Sequence, residues 1–349
     1  MARTSFFFIF LLTSYLFYSS PTFAFSSTNY PPCHDHEKSA LLQFKESLIS
    51  DRCPWASLDP TAYPKVEGWN PPNGEESDCC SWDGIECDDI TGHVISLDLS
   101  NSCLYGSINS SCSLFQLFHL RYLNLAGNDF NASLIPSALG HLPNLTHLNL
   151  SYSGFSGPIP SSISNLSKLS SLDFSSYYHG LELRNPNFKT LITKLANLQI
   201  LHLDLVDMSS TMPNDILPNS SSLVSLSLVD CNLQGEFPTR IFQLPKLEVL
   251  LLDYNHDLTG HLPEFHSNTQ LRKLSVAYCN FFGHIPSSLQ NLTQLVYLGL
   301  TDNSFSVQDT SFLSGIGNLI KLTYLYLDNV NVIGEIPSSF ANLTNLSVF

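Results

Sequence analysis

Leu145-Thr-His-Leu148-Asn-Leu150-Ser-Tyr-Ser-Gly-Phe155-Ser-Gly157-Pro-Ile159-Pro160 is the stretch on which the reading of this sequence turns. Leu148 and Leu150 stand two apart, so in an extended chain both point to one face, and Asn149 between them points to the other. Gly157 permits a bend that the two prolines continue as fixed, extended backbone. The pattern recurs along the chain, its first apolar residue falling at Val94, Leu120, Leu145, Leu169, Leu198, Leu223, Leu247, Leu271, Leu295, Leu322 and Leu346. The intervals run from 24 to 29 residues, giving ten complete units and the start of an eleventh. Self-similarity at this period predicts a stacked array in which no unit buries its leucines alone.

Within each unit the other positions follow from the stacking. Asn128, Asn255 and Asn303 lie three residues past the second leucine, where a carboxamide can bond the backbone of the neighbouring coil. Cys231 and Cys279 take the same slot and read as free structural thiols. The segments Gly157–Pro160, 235–238, 283–286 and 334–337 mark the turn. Stretches such as 287–292 then return the chain through a helical or 3₁₀ turn. Two units are irregular: the one from Leu169 is five residues longer than 24 and carries Tyr177-Tyr178-His179-Gly180. The one from Leu295 has three extra residues and reads Val307-Gln-Asp-Thr-Ser-Phe-Leu313. Insertions in such arrays are expected as loops on one face, often the binding face.

Arg3, the apolar run Phe6–Phe17 and Thr22-Phe23-Ala24 form an export signal ending near residue 24. The run is shorter than the ~20 residues of a membrane span, so cleavage leaves a chain with no span. Of nine cysteines, Cys33, Cys53, Cys79, Cys80 and Cys87 precede the repeats, the arrangement of a disulfide-stapled cap over 25–92 in an oxidising compartment. The repeats occupy 93–349. In the cap, Asp35 is expected to cap a helix from about His36 to Ile49, with Leu41, Phe44 and Leu48 on one stripe.

Cys33 before that helix, the Cys79-Cys80-Ser-Trp82-Asp-Gly84-Ile-Glu-Cys87 run and the Gly-x-Ile-Pro repeats together resemble the plant leucine-rich-repeat receptor-like proteins, among them the Cf-type resistance proteins of tomato. The resemblance covers the chain from about Cys33 onward. It implies a right-handed α/β leucine-rich-repeat solenoid of the plant type. In that fold a parallel β-sheet is concave, 3₁₀ and extended segments are convex, and the N-terminal cap is helical and disulfide-stapled. It pairs Cys33 with Cys79 and Cys80 with Cys87 and leaves Cys53 unassigned; Cys103, which follows the first repeat strand, is the expected partner and Cys112 the remaining cap-side thiol, although connectivity among these three does not follow from sequence. Full-length members carry further repeats, a C-terminal cap and a membrane anchor. This chain stops at 346–349 within a repeat strand with no C-terminal cap, which reads as the N-terminal part of such a protein.

The function implied is extracellular recognition of a peptide or protein ligand, in defence or development, with a partner receptor kinase for the full-length parent. A secreted inhibitor of a pathogen wall-degrading enzyme and a truncated remnant are the alternatives. The formal net charge of −15, with no Lys/Arg stripe, excludes a nucleic-acid partner. Apart from the cap, the acids are scattered and read as a diffuse field. His34-Asp35-His36 reads as a helix start and not as a metal site. No Gly-rich phosphate loop and no Gly-x-Ser-x-Gly elbow occurs, so the chain reads as a non-enzyme without cofactor or metal.

Candidate contact residues lie on the solvent side of the sheet and at its rim: Tyr152, His202, Tyr254, Tyr278, Tyr297, Tyr324 and Tyr326, beside Asp253, Asp302 and Asp328. Candidate glycan sites are Asn109, Asn131, Asn144, Asn165, Asn219, Asn291, Asn342 and Asn345. Asn149 also meets the Asn-x-Ser/Thr pattern but sits between two core leucines, and is expected to be poorly used.

Overall fold

The computed structural model describes residues 31–50, 53, 62–69, 77–210, 222–308 and 310–349. The export signal and Asn219 lie outside the described residues. The quoted leucines form the core: Leu145, Leu148, Leu150, Phe155, Ile159, Ile163 and Leu166 are all buried. One row of short strands gathers every unit into an eleven-stranded sheet. The cap strand Ile85–Cys87 runs antiparallel to Val94–Asp98, and from there the strands run parallel to Tyr324–Tyr326. Register pairs leucine with leucine down the row, as in Leu148↔Leu172 and Leu274↔Leu298. Each layer therefore buries its neighbour's core residue, worth about 1.5–3 kcal/mol per leucine fully removed from water.

The glycine turn feeds a second parallel ladder, Gln234–Glu236, Asp257–Gly260, Asn280–Gly283 and Ser304–Phe305. Gly157, Gly235 and Gly283 hold φ of 76°, 86° and 81°, a region that L side chains avoid. A Cβ at Gly157 would also lie 2.5 Å from Leu134 Cδ2. After the turn, Pro160, Pro238 and Pro286 lead into the 3₁₀ helices Ser161–Asn165, Thr239–Gln243 and Ser287–Asn291.

Between layers, Asn128 donates Nδ2 to Leu99 O (2.8 Å) and Leu125 O (2.9 Å), while its Oδ1 accepts Ser102 N and Leu104 N. Asn255 repeats this arrangement with Leu228, Leu252, Cys231 and Leu233. One buried carboxamide thus satisfies four backbone groups that the strand ends leave over. Cys231 and Cys279 fill the same slot with one thiol donor each, to Leu203 O (3.0 Å) and Leu252 O (3.1 Å).

The cap differs from expectation in two respects, where its helix begins and where it ends. Its helix runs Asp35–Glu46 with His34 as N-cap and no side-chain cap bond; Asp35 lies inside the first turn, where its charge suits the helix dipole. Ile49 is not helical but bonds Tyr105 in an antiparallel bridge. Leu41 and Phe44 are fully buried, and Leu48 packs against the core partly buried. Disulfides join Cys33 to Cys79, Cys80 to Cys87 and Cys53 to Cys103. Cys112, Cys231 and Cys279 are free.

The two irregular units also correct an expectation. Where insertions were expected as loops on one face, these units carry the helices Phe188–Lys194 and Thr310–Ile316, set beside the 3₁₀ turns of adjacent layers. Asn187 caps the first by accepting Thr190 N at 2.9 Å. Among the described residues no helix is long and apolar enough to cross a membrane.

Candidate ligand-binding surface

Alternation along each strand decides which side chains face the solvent. In His147-Leu148-Asn149-Leu150 the leucines are buried, His147 is exposed and Asn149 half-buried. In all but the layer of Phe174, the second residue after the second core position is left-handed. Asn101, Gly127, Asp302 and Asn329 take that conformation with φ between 50° and 68°, which such residues tolerate. Tyr152 (54°), Leu205 (59°), Tyr254 (63°) and Tyr278 (55°) occupy it with bulky side chains.

Because the repeat places the same position of successive layers side by side, the rings of Tyr254 and Tyr278 stack, centroids 4.6 Å apart and planes 6° from parallel. Tyr297 meets Tyr326 at 5.5 Å and Tyr324 at 5.9 Å. Asp253 is held beneath them: its Oδ1 accepts the Ser275 hydroxyl and the Ala277 N–H. Burial pushes the Asp253 carboxyl above its ordinary range, and those two bonds pull the other way. Burial likewise pushes up the phenol of Tyr297, with the charge of Asp253 adding to it. Asp253, Tyr254, Tyr278, Tyr297 and Tyr326, with Asp328, line a cleft of about 320 Å³.

The structure does not bring all the candidates together. Tyr324 is exposed at the outer flank of Tyr297, and Asp302 is engaged by Asn329 Nδ2 at 2.5 Å. Tyr152 and His202 belong to a separate patch nearer the cap. Tyr152 packs on Tyr177, centroids 4.7 Å apart, a neighbour supplied by the irregular unit. His202 lies 3.6 Å from Asp173 Oδ2 through Nδ1 and 2.8 Å from Ser225 Oγ through Nε2. Those three groups have the order of a hydrolytic triad, but Val224 N and Ser225 N both donate to Gln199 O, so neither is free to hold an oxyanion. Asp204, missed by the sequence reading, accepts Ser227 Oγ at 2.6 Å and Val229 N at 2.9 Å, as Asp253 does in its own layer.

A larger hollow of about 590 Å³ opens on the convex flank between Leu134, Pro136, Pro158 and Asn185, and includes Asn109. It offers no charged side chain. Cys33, Asp78, Cys79 and Cys80 converge as metal ligands do, but the three sulfurs are in disulfides and provide no thiolate. His34 stacks on His93, 4.0 Å between centroids, with its Nε2 at Thr91 O.

With sheet, ladder and cap in place, the comparisons decide the family. The model of the leucine rich repeat N-terminal domain matches residues 34–88, and that of the leucine rich repeat matches 119–142, 144–166, 270–292 and 321–343. The chain is a leucine-rich-repeat protein. Its sequence relatives are plant receptor-like proteins. Receptor-like protein 6 of Arabidopsis thaliana is 40% identical over 308 residues, 83% of this chain and 30% of the relative. Receptor-like protein Cf-9 homolog of Solanum lycopersicum is 39% identical over 263 residues, 73% of this chain and 30% of the relative. This leucine-rich-repeat chain thus spans about three-tenths of the length of the curated relatives it matches. Among solved structures, the plant peptide hormone receptor RGFR1 in complex with RGF2 superposes with a TM-score of 0.55 at 23% identity. That likeness covers 77% of this chain and 52% of the receptor's.

Proposed function

We propose that this leucine-rich-repeat protein is an extracellular recognition module of the receptor-like kind, and that the cleft between Tyr254 and Asp328 receives an extended peptide or a protein segment. The observation that carries the reading is the stacked pair Tyr254–Tyr278, kept in a left-handed backbone conformation where glycine or asparagine would sit without strain. Large, rigid aromatic side chains beside fixed carboxylates suit a peptide interface. The kinship with receptor-like proteins supports the same reading, as does a shared fold with a peptide hormone receptor. In a longer receptor-like protein, plant defence or development is the setting, the cell surface the place, and a partner receptor kinase the means of signalling.

The test uses a displayed library of random peptides selected on the full chain. Enriched peptides are expected to bind at least about tenfold more weakly to the Tyr254→Ala/Tyr278→Ala/Tyr326→Ala variant, as hot-spot aromatics do. Secretion and thermal midpoint of that variant serve as controls. Enriched peptides that bind both proteins equally would move recognition away from this cleft.

A further inference from the structure

We propose that the Tyr–Asp cleft is built to take an arginine side chain of the bound peptide. This rests on the recognition reading above and narrows it to one ligand chemistry.

Thr301 supplies the observation that points to a ligand. It lines the cleft, is 4% exposed, and its Oγ1 is buried without a hydrogen-bond partner in the protein. Buried hydroxyls are nearly always bonded, so one left over at the wall of a cleft is a group waiting for a donor or acceptor from outside. Packing does not require it. Val229, three layers earlier in the same column of the sheet and also on the cleft wall, fills the position with an isosteric apolar side chain. Ala277, one layer before Thr301, manages with less.

The charge around that hydroxyl is of one sign. Asp253 and Asp328 both line the cleft, and among the described residues neither pairs with a lysine, arginine or histidine. Lys273 stands opposite Tyr297 in register, exposed at the start of its strand, and is not part of the cleft wall. Asp253 is also aimed: Ser275 and Ala277 fix one carboxylate oxygen, which sets the plane in which the group can accept further bonds. Its burial raises the cost of leaving that charge without a counter-ion.

The aromatic walls select among cations. In the near-parallel stack of Tyr254 and Tyr278 each ring covers one face of the other and keeps its outer π face, and Tyr254 is about half exposed. A guanidinium is planar, weakly hydrated and carries forked donors, so it can lie on a tyrosine face while bonding a carboxylate and a hydroxyl at once. A lysine ammonium is compact and strongly hydrated, and gains less from such a wall. A volume of about 320 Å³ is at the low end for ligand pockets, room for one long side chain with its backbone running across the strands.

The test titrates the full chain with acetyl-Gly-Arg-Gly-amide, followed by tyrosine fluorescence and by calorimetry. The same peptide with citrulline, lysine or glutamate serves for comparison. Citrulline keeps the shape of arginine and removes the charge. The arginine peptide is expected to bind at least about tenfold more tightly than the citrulline one and severalfold more tightly than the lysine one, with affinity falling as salt rises. Asp253→Asn/Asp328→Asn should remove most of that preference. Thr301→Val should weaken binding severalfold at a thermal midpoint no lower than that of wild type, because it removes an unbonded buried hydroxyl, and Thr301→Ser should restore binding. Equal binding of arginine and citrulline peptides, or arginine binding indifferent to Thr301→Val and to the carboxamide pair, would overturn the assignment. Library peptides that need the tyrosines but carry no arginine would also overturn it, and would leave the recognition reading standing.

Discussion

Glu37, wholly buried in the first turn of the cap helix, accepts the backbone N–H of Val94 through Oε2 at 3.0 Å and faces His93 Nδ1 through Oε1 at 3.3 Å. Val94 opens the first repeat strand, so one carboxylate fastens the cap to the array. Replacing it by alanine leaves a buried N–H unpaired, at a cost of about 1–3 kcal/mol. Glu37→Ala is therefore expected to lower the urea midpoint clearly, while Glu37→Gln, which keeps an oxygen acceptor, should lose less. Equal midpoints for alanine and wild type would show that the bond carries no stability.

The free thiols differ in a way that labelling reads directly. Burial pushes the Cys231 thiol well above its ordinary value and Cys279 up to about 12; Cys112 is raised less and is half-buried. Only the thiolate reacts, so at pH 8 a disulfide reagent should label Cys112 slowly and spare the other two until the protein is unfolded. Cys231→Ser should cost less than ~1 kcal/mol, the size of a single neutral hydrogen bond. Ser153 already fills the equivalent slot, donating to Leu125 O at 2.7 Å.

How much was legible in the sequence depends on the distance over which each feature is determined. Leu148 and Leu150 reveal the strand because their spacing is local, and repetition reveals the stack. The contacts of the cleft arise between layers 22 to 24 residues apart, as in Ser275 on Asp253 and Ala277 on Asp253. Acids that look scattered along the chain, Asp253 and Asp328 among them, therefore meet at one cleft. Asp35 was the natural cap by residue type, yet the carboxylate that matters is Glu37, whose partner lies 57 residues on. The convex helix at Phe188–Lys194 did leave a signal: Asn187 followed by Leu191, Ile192 and Leu195 at helical spacing. Thr301 left none, because threonine and valine pack alike and only its lost bond sets it apart.

Asn149 and Asn144 give a paired prediction about glycans. Asn144 is half-exposed at the layer edge, accepting Lys168 Nζ at 2.8 Å, whereas Asn149 Oδ1 is turned onto Ser151 N at 2.9 Å on the concave sheet. Asn109, Asn131, Asn165, Asn291, Asn342 and Asn345 are exposed. Glycopeptide mass spectrometry of the secreted chain is expected to find glycan at Asn144 and at most of these six, and little at Asn149. Full occupancy of Asn149 would place a sugar across the concave sheet and argue against that face as a docking surface.

Asp204 makes the stability of the concave face depend on pH. Burial pushes its carboxyl above the ordinary 3.8, with Ser227 and Val229 bonding in opposition and Asp173 adding repulsion. A folded-state value above the unfolded one means that the ionised group costs stability at neutral pH. That cost disappears as the pH falls below about 4, where both states are protonated. Asp204→Asn, which keeps an acceptor for Ser227 and Val229, should raise the thermal midpoint at pH 7 and match wild type near pH 3.5. A difference that instead grows toward low pH would reverse the assignment.

Tyr254 and Tyr278 separate function from structure most sharply, because their backbone conformation works against them. A bulky L-residue held left-handed costs roughly 1–2 kcal/mol, and asparagine adopts the same conformation more readily. The ring stack returns about 0.5–1.5 kcal/mol, so fold stability alone gives little reason to keep tyrosine at either position. Tyr254→Asn/Tyr278→Asn is thus expected to leave the thermal midpoint near that of wild type or slightly above it, since Asn101 and Asn329 hold the same column at φ 50° and 54°. Selected peptides should lose at least about tenfold in affinity for the same variant. A loss of stability larger than the ~1.5 kcal/mol of a ring stack, with peptide affinity unchanged, would make the pair a structural element and empty the cleft of its role.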